Sequence, residues 1–297
     1  MRLIFTLILA TSSILDAAPP TGRYKDVIDK MKMLSAKYPQ FTSVFSLGQN
    51  DDSVDILAMR ISVTPTAVDP KKVGHLLVST HHGNESATPV FTLYFTEELL
   101  KRYASHELFR TNLSDTEWTI IPVLNISGFN ANNRQEHGYD PNRDYPGPCT
   151  TQTGGKLKSI SLLIKHLQSR VYTGSLTVHG YYGSLTYPWG VSTANTHSLD
   201  HNAFEKIVSK ATSLNGYVFG TSTDVIYPCD GSFEDYTYWK HGIWSLLLEL
   251  KTGSQTDIPP TASAVAAYFD QIDSTPSSKN QMTGQCTRAR KPDLHNE

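Results

Sequence analysis

The stretch Val78-Ser79-Thr80-His81-His82-Gly83-Asn84-Glu85-Ser86 decides how this chain is read. The apolar run at 75–80 should end there as a buried strand, and a helical pattern starts at Thr88. His82 and Glu85, three residues apart where the strand ends, can both turn toward one ion. An imidazole nitrogen and a carboxylate oxygen are donors suited to Zn²⁺. Among 11 histidines such a pair also arises by chance. Its meaning depends on whether the chain supplies a third ligand, a base and a substrate clamp.

Composition sets the frame. The 297 residues are 39% hydrophobic and 18% charged, which fits one sizeable core. A net charge of −2, without a basic stripe or acidic tail, gives no reason to expect nucleic acid as a partner. At the N-terminus, Arg2 precedes a mostly apolar run at 3–10, small residues at 11–13, and Ala17-Ala18 before Pro19-Pro20. This is the pattern of a secretory signal over residues 1–18, and it predicts an exported product. No later run reaches the ~20 apolar residues of a membrane span, so stable membrane association is not expected. Three cysteines, Cys149, Cys229 and Cys286, permit at most one internal disulfide. Sequons stand at Asn84, Asn112 and Asn125, of which only Asn112, in a polar loop, is expected to be accessible.

Working outward, residues 24–38 carry helical spacing up to Pro39, and 42–47 and 55–63 read as strands paired antiparallel at a sheet edge. Residues 88–103 form a helix with an expected apolar stripe at Val90, Leu93, Tyr94, Leu99 and Leu100. Residues 118–124 read as a buried strand. The long segment 127–149, rich in Asn, Gly and Pro, is expected to be functional. Helices follow at 156–171, 203–213, 233–241 and 260–272, and strands at 175–178, 217–219 and 243–250. Alternating strands and helices predict an α/β fold: a single domain over 19–272 with a mixed, mostly parallel central sheet covered by helices on both faces. The polar segment 273–297 reads as a mobile tail. The chain is expected to be a monomer.

Candidate ligands and a base now fall at strand ends, where ligands bind in such sheets. His179 closes the run Ser175-Leu176-Thr177-Val178, 94 residues after Glu85. A short-spaced pair plus one distant ligand is the pattern of a catalytic zinc site with one position open. Glu249, inside the apolar run 244–250, would be costly to bury unless it is partnered or working, and burial raises its proton affinity. Arg134 and Asp140-Pro141-Asn142-Arg143 place arginines in the long loop, where a planar guanidinium can clamp a carboxylate. His81 is expected to point away from the metal. His197 and His201 lack the glutamate that would make H-x-x-x-H a metal motif.

With these residues in hand, the chain resembles the zinc carboxypeptidases of the funnelin (carboxypeptidase A/B) family over most of its mature length. The matching segments are His82-Gly83-Asn84-Glu85, Asp140-x-Asn142-Arg143-x-Tyr145-Pro146, Val178-His179, Tyr187-Pro188-Trp189-Gly190, Ile226-Tyr227 and Leu248-Glu249-Leu250, in the family's order. The resemblance implies that His82, Glu85 and His179 hold one Zn²⁺ and that Glu249 is the general base. Arg134 would polarise the scissile carbonyl. Asn142, Arg143 and Tyr227 would grip the terminal carboxylate of a peptide or protein substrate, and Asp140 would orient His82. Cys149 and Cys229, in loops thereby brought near the site, are the expected disulfide, with Cys286 free or bonded elsewhere.

The departures are specific. Asp144 and Tyr145 stand where digestive members carry Asn and Phe or Trp, and Asp144 beside the clamp could compete for Arg143. No activation segment or extra β-domain is recognised, so the chain reads as a bare catalytic domain. In the family's basic-specific branches an acid lies in the pocket for the C-terminal side chain. One such place matches Gly190, which supplies no charge. The other falls on Glu234 if counted from Tyr227 without a gap, or on Phe233 with one. Glu234 facing inward favours a terminal Lys or Arg, and Phe233 an apolar or aromatic residue; the reading leans to basic. A metal amidase on the same fold, cutting a cell-wall-type peptide, and a catalytically dead peptide binder are the rival readings. No G-x-S-x-G elbow supports a serine hydrolase.

Overall fold

The computed structural model describes residues 20–69, 71–105, 115–150, 153–272 and 274–287. The signal segment 1–18, the sequon at Asn112 and the last ten residues of the tail lie outside them. In chain order the elements are α1 (Gly22–Lys37), β1 (Thr42–Gln49), β2 (Asp55–Ile61), β3 (Val73–Ser79), α2 (Thr88–Ser105), β4 (Thr116–Ile121) and α3 (Ile126–Ala131). After a 3₁₀ turn at Pro141–Arg143 come α4 (Lys158–Gln168), β5 (Gly174–Gly180), β6 (Ser184–Tyr187), α5 (His201–Thr212), β7 (Val218–Thr221), α6 (Ser222–Val225), α7 (Phe233–His241), β8 (Trp244–Leu250) and α8 (Ile258–Phe269).

The strands form one eight-stranded sheet in the order β1-β2-β4-β3-β5-β8-β6-β7. Its centre, β4-β3-β5-β8, is parallel, as near-continuous apolar runs require when both faces are covered. The β1–β2, β2–β4 and β6–β8 pairings are antiparallel, and β6–β7 is parallel. On one face His75 of β3 packs on Trp118 of β4 and Phe269 of α8, at centroid distances of 4.8 and 5.1 Å. On the other, Thr177 of β5 donates to Glu234 of α7, and Thr237 of α7 bonds Ser245 of β8 at 2.9 Å. Helices therefore cover both faces.

Two expectations need correction. The buried stripe of α2 is Phe91, Leu93, Phe95, Leu99, Leu100 and Tyr103, whereas Val90 is 51% exposed. Pro89 and Phe91, not Val90, turn inward where the helix leaves the metal loop. The disulfide is Cys149–Cys286, with a Cα–Cα distance of 5.4 Å, and Cys229 is free. The tail returns along residues 192–194, where Ala194 N–H donates to Gln285 O at 3.1 Å and Thr287 N–H to Ser192 O at 2.8 Å. That path carries Cys286 to Cys149, while Cys229 is turned against Gly190.

Candidate metal centre and substrate pocket

Three neighbouring parallel strands end together, so β3, β5 and β8 deliver His82, His179 and Glu249 to the same edge of the sheet. His179 and Glu249 are register partners across β5 and β8. In a parallel pair such partners point to the same face. At the end of β3 the chain breaks away sharply. Thr80 adopts φ +62°, an outlier for a β-branched residue. Its hydroxyl donates to Pro122 O at 3.1 Å and lies 2.8 Å from Thr88 Oγ1, which holds the turn. Gly83 then passes so close to α3 that a Cβ would lie 2.0 Å from the Gly128 carbonyl carbon. The Asn125 side chain completes the support: Nδ2 donates to His81 O and Arg134 O, at 3.0 and 3.2 Å, and Oδ1 accepts from Gly128 N–H at 2.7 Å.

This packing brings the three expected ligands together. His82 Nδ1 lies 2.7 Å from Glu85 Oε1, His179 Nδ1 3.2 Å from Glu85 Oε2, and the two imidazole nitrogens 3.1 Å from each other. All three side chains are buried, and their donor atoms lie within 4.8 Å of one another. Donor atoms that face one another, rather than separate partners, suit a shared cation, and two nitrogens with one carboxylate suit zinc with a position left open. Against the cost of burial, His82 and His179 hold the Glu85 carboxyl down at about 2, so it is ionised.

The surrounding charges are tied to this triad. Asp140 Oδ1 lies 3.1 Å from His82 Nε2 and accepts from Asn142 N–H at 2.9 Å. Its Oδ2 accepts both Arg134 Nε and Nη2, at 3.1 and 3.0 Å. Burial opposes ionisation of Asp140, yet His82, Arg143 and Arg134 hold its carboxyl well below the usual range. Arg134 Nη1 is also 4.0 Å from Glu85 Oε1, which places this half-exposed guanidinium at the rim of the metal centre. Burial, with Glu85 adding to it, pushes the Glu249 carboxyl up to about 7, although His179 and Arg134 oppose the rise.

Beyond the triad, His82, His179 and Glu249 share a narrow pocket with Asn142, Arg143 and Tyr227. Arg143 Nη2 donates to the Tyr227 hydroxyl at 3.1 Å, and Asn142 Oδ1 accepts from Phe233 N–H at 2.9 Å. Asp144 does not compete for Arg143: it turns inward and accepts Lys156 and Leu157 N–H at 3.1 and 2.8 Å. The pocket wall includes Ile226, Cys229, Leu247 and Glu234. Phe233 instead packs behind it, on Tyr145 and His81 at 5.5 and 5.7 Å. Gly190 backs the wall, its N–H held by Asp235 at 2.9 and 3.1 Å. His81 stands outside the metal group, with Nε2 2.8 Å from the Tyr145 hydroxyl. The rings of His197 and His201 stack at 3.5 Å, and they belong to no metal-holding group among the described residues. Of the remaining sequons, Asn125 is buried and Asn84 is exposed between buried neighbours.

Residues 27–275 match the family model described as zinc carboxypeptidase. The chain belongs to the zinc carboxypeptidase family. Within the family it is 23% identical over 249 residues to carboxypeptidase O of Bos taurus, covering 71% of this chain and 65% of that one. It is 25% identical over 206 residues to carboxypeptidase B of Homo sapiens, covering 57% and 49%. The chain thus spans between half and two thirds of the length of these relatives. The crystal structure of thrombin activatable fibrinolysis inhibitor shares the fold, with a TM-score of 0.72 at 16% identity over 84% of this chain and 73% of that one. A family of zinc enzymes accounts for the His-Glu-His triad: it fits one zinc ion per chain.

Several supporting residues escaped the sequence reading. Asn125 and Gly128, which clamp the ligand loop, were visible only as a sequon and a loop glycine. Their signal was local: an N-cap asparagine three residues before a glycine. Leu247 in the pocket wall and Thr177, whose hydroxyl holds Glu234, gave no signal, because only the sheet register brings them there.

Proposed function

We propose that the protein is an exported zinc-dependent carboxypeptidase that removes the C-terminal residue from peptides or proteins and prefers terminal Lys or Arg. One observation carries the reading: a buried two-histidine, one-carboxylate group shares a pocket with a base, Glu249, and a carboxylate clamp, Arg143 with Asn142 and Tyr227. A carboxylate clamp in the same pocket suits a substrate with a free terminal carboxylate, which an amidase or an endopeptidase does not need.

His82, Glu85 and His179 would hold the zinc, which when bound supplies a Lewis acid for the scissile carbonyl and for water. Asn142, Arg143 and the Tyr227 hydroxyl would bind the terminal carboxylate and so fix which bond lies beside the metal. Glu249, poised near neutrality, takes the proton of the attacking water and passes it to the leaving amine. Arg134 holds positive charge where the carbonyl oxygen becomes negative. Asp140 keeps His82 in one tautomer and, through Asn142 N–H, keeps the clamp in register with the metal. Glu234 supports the basic preference, because its carboxylate lines the pocket while Phe233 lies behind. Export is supported by the pattern of residues 1–18 together with a disulfide, the mark of an oxidising compartment.

A panel of peptides differing only in the last residue, each with free and amidated ends, tests this. The zinc-loaded protein should cleave only free ends, with kcat/KM at least ~10-fold higher for Lys or Arg than for Leu or Phe. Glu234→Gln should remove that preference, and Glu249→Gln should cut turnover by about 10²–10⁴-fold while sparing bound zinc. No turnover of any free-ended peptide would sink the activity. Faster cleavage of apolar ends would sink the preference alone.

A further inference from the structure

A second cationic site lies apart from the zinc centre and shares no residue with the substrate pocket. A cavity of about 280 Å³ opens between β1, β2 and the carboxyl end of α4, with Phe45, Arg60, Lys165, His166, Ser169 and Arg170 in its lining. Arg60 and Arg170 are largely buried, with side-chain exposures of 13% and 5%, and both turn to one fully buried carboxylate, Glu117 of β4. Arg60 Nε lies 3.1 Å from Glu117 Oε1, and Arg170 Nη1 pairs with the same oxygen. One carboxylate offsets only one guanidinium.

The imbalance is not relieved elsewhere in the cavity. Among the described residues, no acidic side chain lines it. Lys165 adds a third cation at the exposed rim, so three cations against one carboxylate leave a formal excess of two. The last carbonyls of α4 contribute about half a negative charge, too little to cancel that excess. Arg170 Nε is buried without a hydrogen-bond partner, a donor costly to leave unmade. The positive field is felt by a neighbour: burial, then Arg170 and Arg60, push His166 down to about 4. His166 therefore stays neutral, with Nε2 2.6 Å from the Tyr172 hydroxyl. Phe45 closes one side, its ring centroid 5.1 Å from Arg60 Cζ, and holds that guanidinium in place.

We propose that this cavity binds a tetrahedral oxyanion, sulfate or phosphate, either as the free ion or as the ester group of a larger ligand. Fixed guanidinium donors and an unmet charge in a partly desolvated cleft favour such a dianion over chloride, because guanidinium forks match its oxygens. This reading does not depend on the zinc chemistry.

The test uses the zinc-loaded full chain. Crystals soaked in selenate should show an anomalous peak between Arg60, Lys165 and Arg170, distinct from any at Arg143. In solution, sulfate should raise Tm relative to chloride at equal ionic strength. Lys165→Glu, at an exposed position, should weaken the response at least ~10-fold, and Arg60→Gln should do the same if it folds. A parallel titration with a sulfated oligosaccharide separates the two sources. Binding tighter than free sulfate and lost in Lys165→Glu assigns the ester, and equal binding assigns the free ion. No selenate in the cavity, or a sulfate response that survives Lys165→Glu unchanged, would overturn the proposal.

Discussion

His82 and Asp140 are joined at 3.1 Å through the imidazole nitrogen that faces away from the metal group. The same Asp140 oxygen also accepts Asn142 N–H, so one carboxylate links the metal ligand to the substrate clamp. Asp140→Asn should therefore lower zinc affinity by about 10–100-fold. It should also raise KM, because the 3₁₀ turn carrying Asn142 and Arg143 loses a charged acceptor. A chelator competition and a KM measurement at saturating zinc check the two effects separately. Unchanged zinc affinity would show that His82 is oriented by other contacts.

Gly83 has no space for a side chain. An alanine Cβ would stand 2.0 Å from the Gly128 carbonyl carbon and 2.3 Å from Phe129 N, both backbone atoms that cannot swing aside. Gly83→Ala should cost about 1–3 kcal/mol of stability, the usual penalty of overpacking. It should also loosen zinc by displacing His82 and Glu85 on either side. Thermal unfolding with and without zinc measures both, and a variant with unaltered Tm would mean that the ligand loop is not packed on α3.

The sheet centre was legible because its strands are apolar runs of the right length, and His82, His179 and Glu249 were legible because each closes or interrupts such a run. What failed was set by packing between distant segments. The inward face of α2 could not be placed from periodicity, since Thr88, Thr92 and Thr96 are buried polar residues inside the stripe. β6 went unseen: Ser184-Leu185-Thr186-Tyr187 is four residues long and buried throughout, so it shows no alternation. The ungapped count from Tyr227 leaned to Glu234 over Phe233 but left both open, since the choice is a rotation of about 100° at the first turn of α7, which the Ser232 cap fixes. The disulfide depended on the return path of a polar tail, which no pattern in the tail announces.

Cys229 should titrate as the single free thiol of the unreduced, denatured protein. In the native state it should react slowly, because burial pushes its thiol up to about 11. Cys149 and Cys286 should appear together in a disulfide-linked peptide. The closed loop spans 137 residues, so Cys286→Ser should lower stability by about 2–5 kcal/mol and free the tail from residues 192–194. Recovery of Cys229 in a disulfide-linked peptide would refute the pairing.

Asp235 is the group whose protonation should shape stability above neutrality. It lies fully buried behind Gly190, and burial, with Glu234 and Asp230 adding to it, pushes its carboxyl up to about 8 from an ordinary value near 3.8. A folded-state value above the unfolded one means that the native protein holds a proton which the unfolded chain has released. The stabilisation is therefore complete below about pH 4 and is lost as pH rises toward 8, at roughly 1.4 kcal/mol per pH unit at most. Asp235→Asn keeps an oxygen for Gly190 N–H and removes the titration. Denaturant unfolding at several values between pH 5 and 9 should show the variant gaining on the wild type as pH rises, with the difference levelling off above 8. Because Asp235 holds the backbone behind the pocket wall, its ionisation should also change KM for the substrate more than kcat. Parallel stability curves for the two proteins would mean that Asp235 is ionised at all these pH values and that its buried charge is met by donors beyond Gly190 N–H.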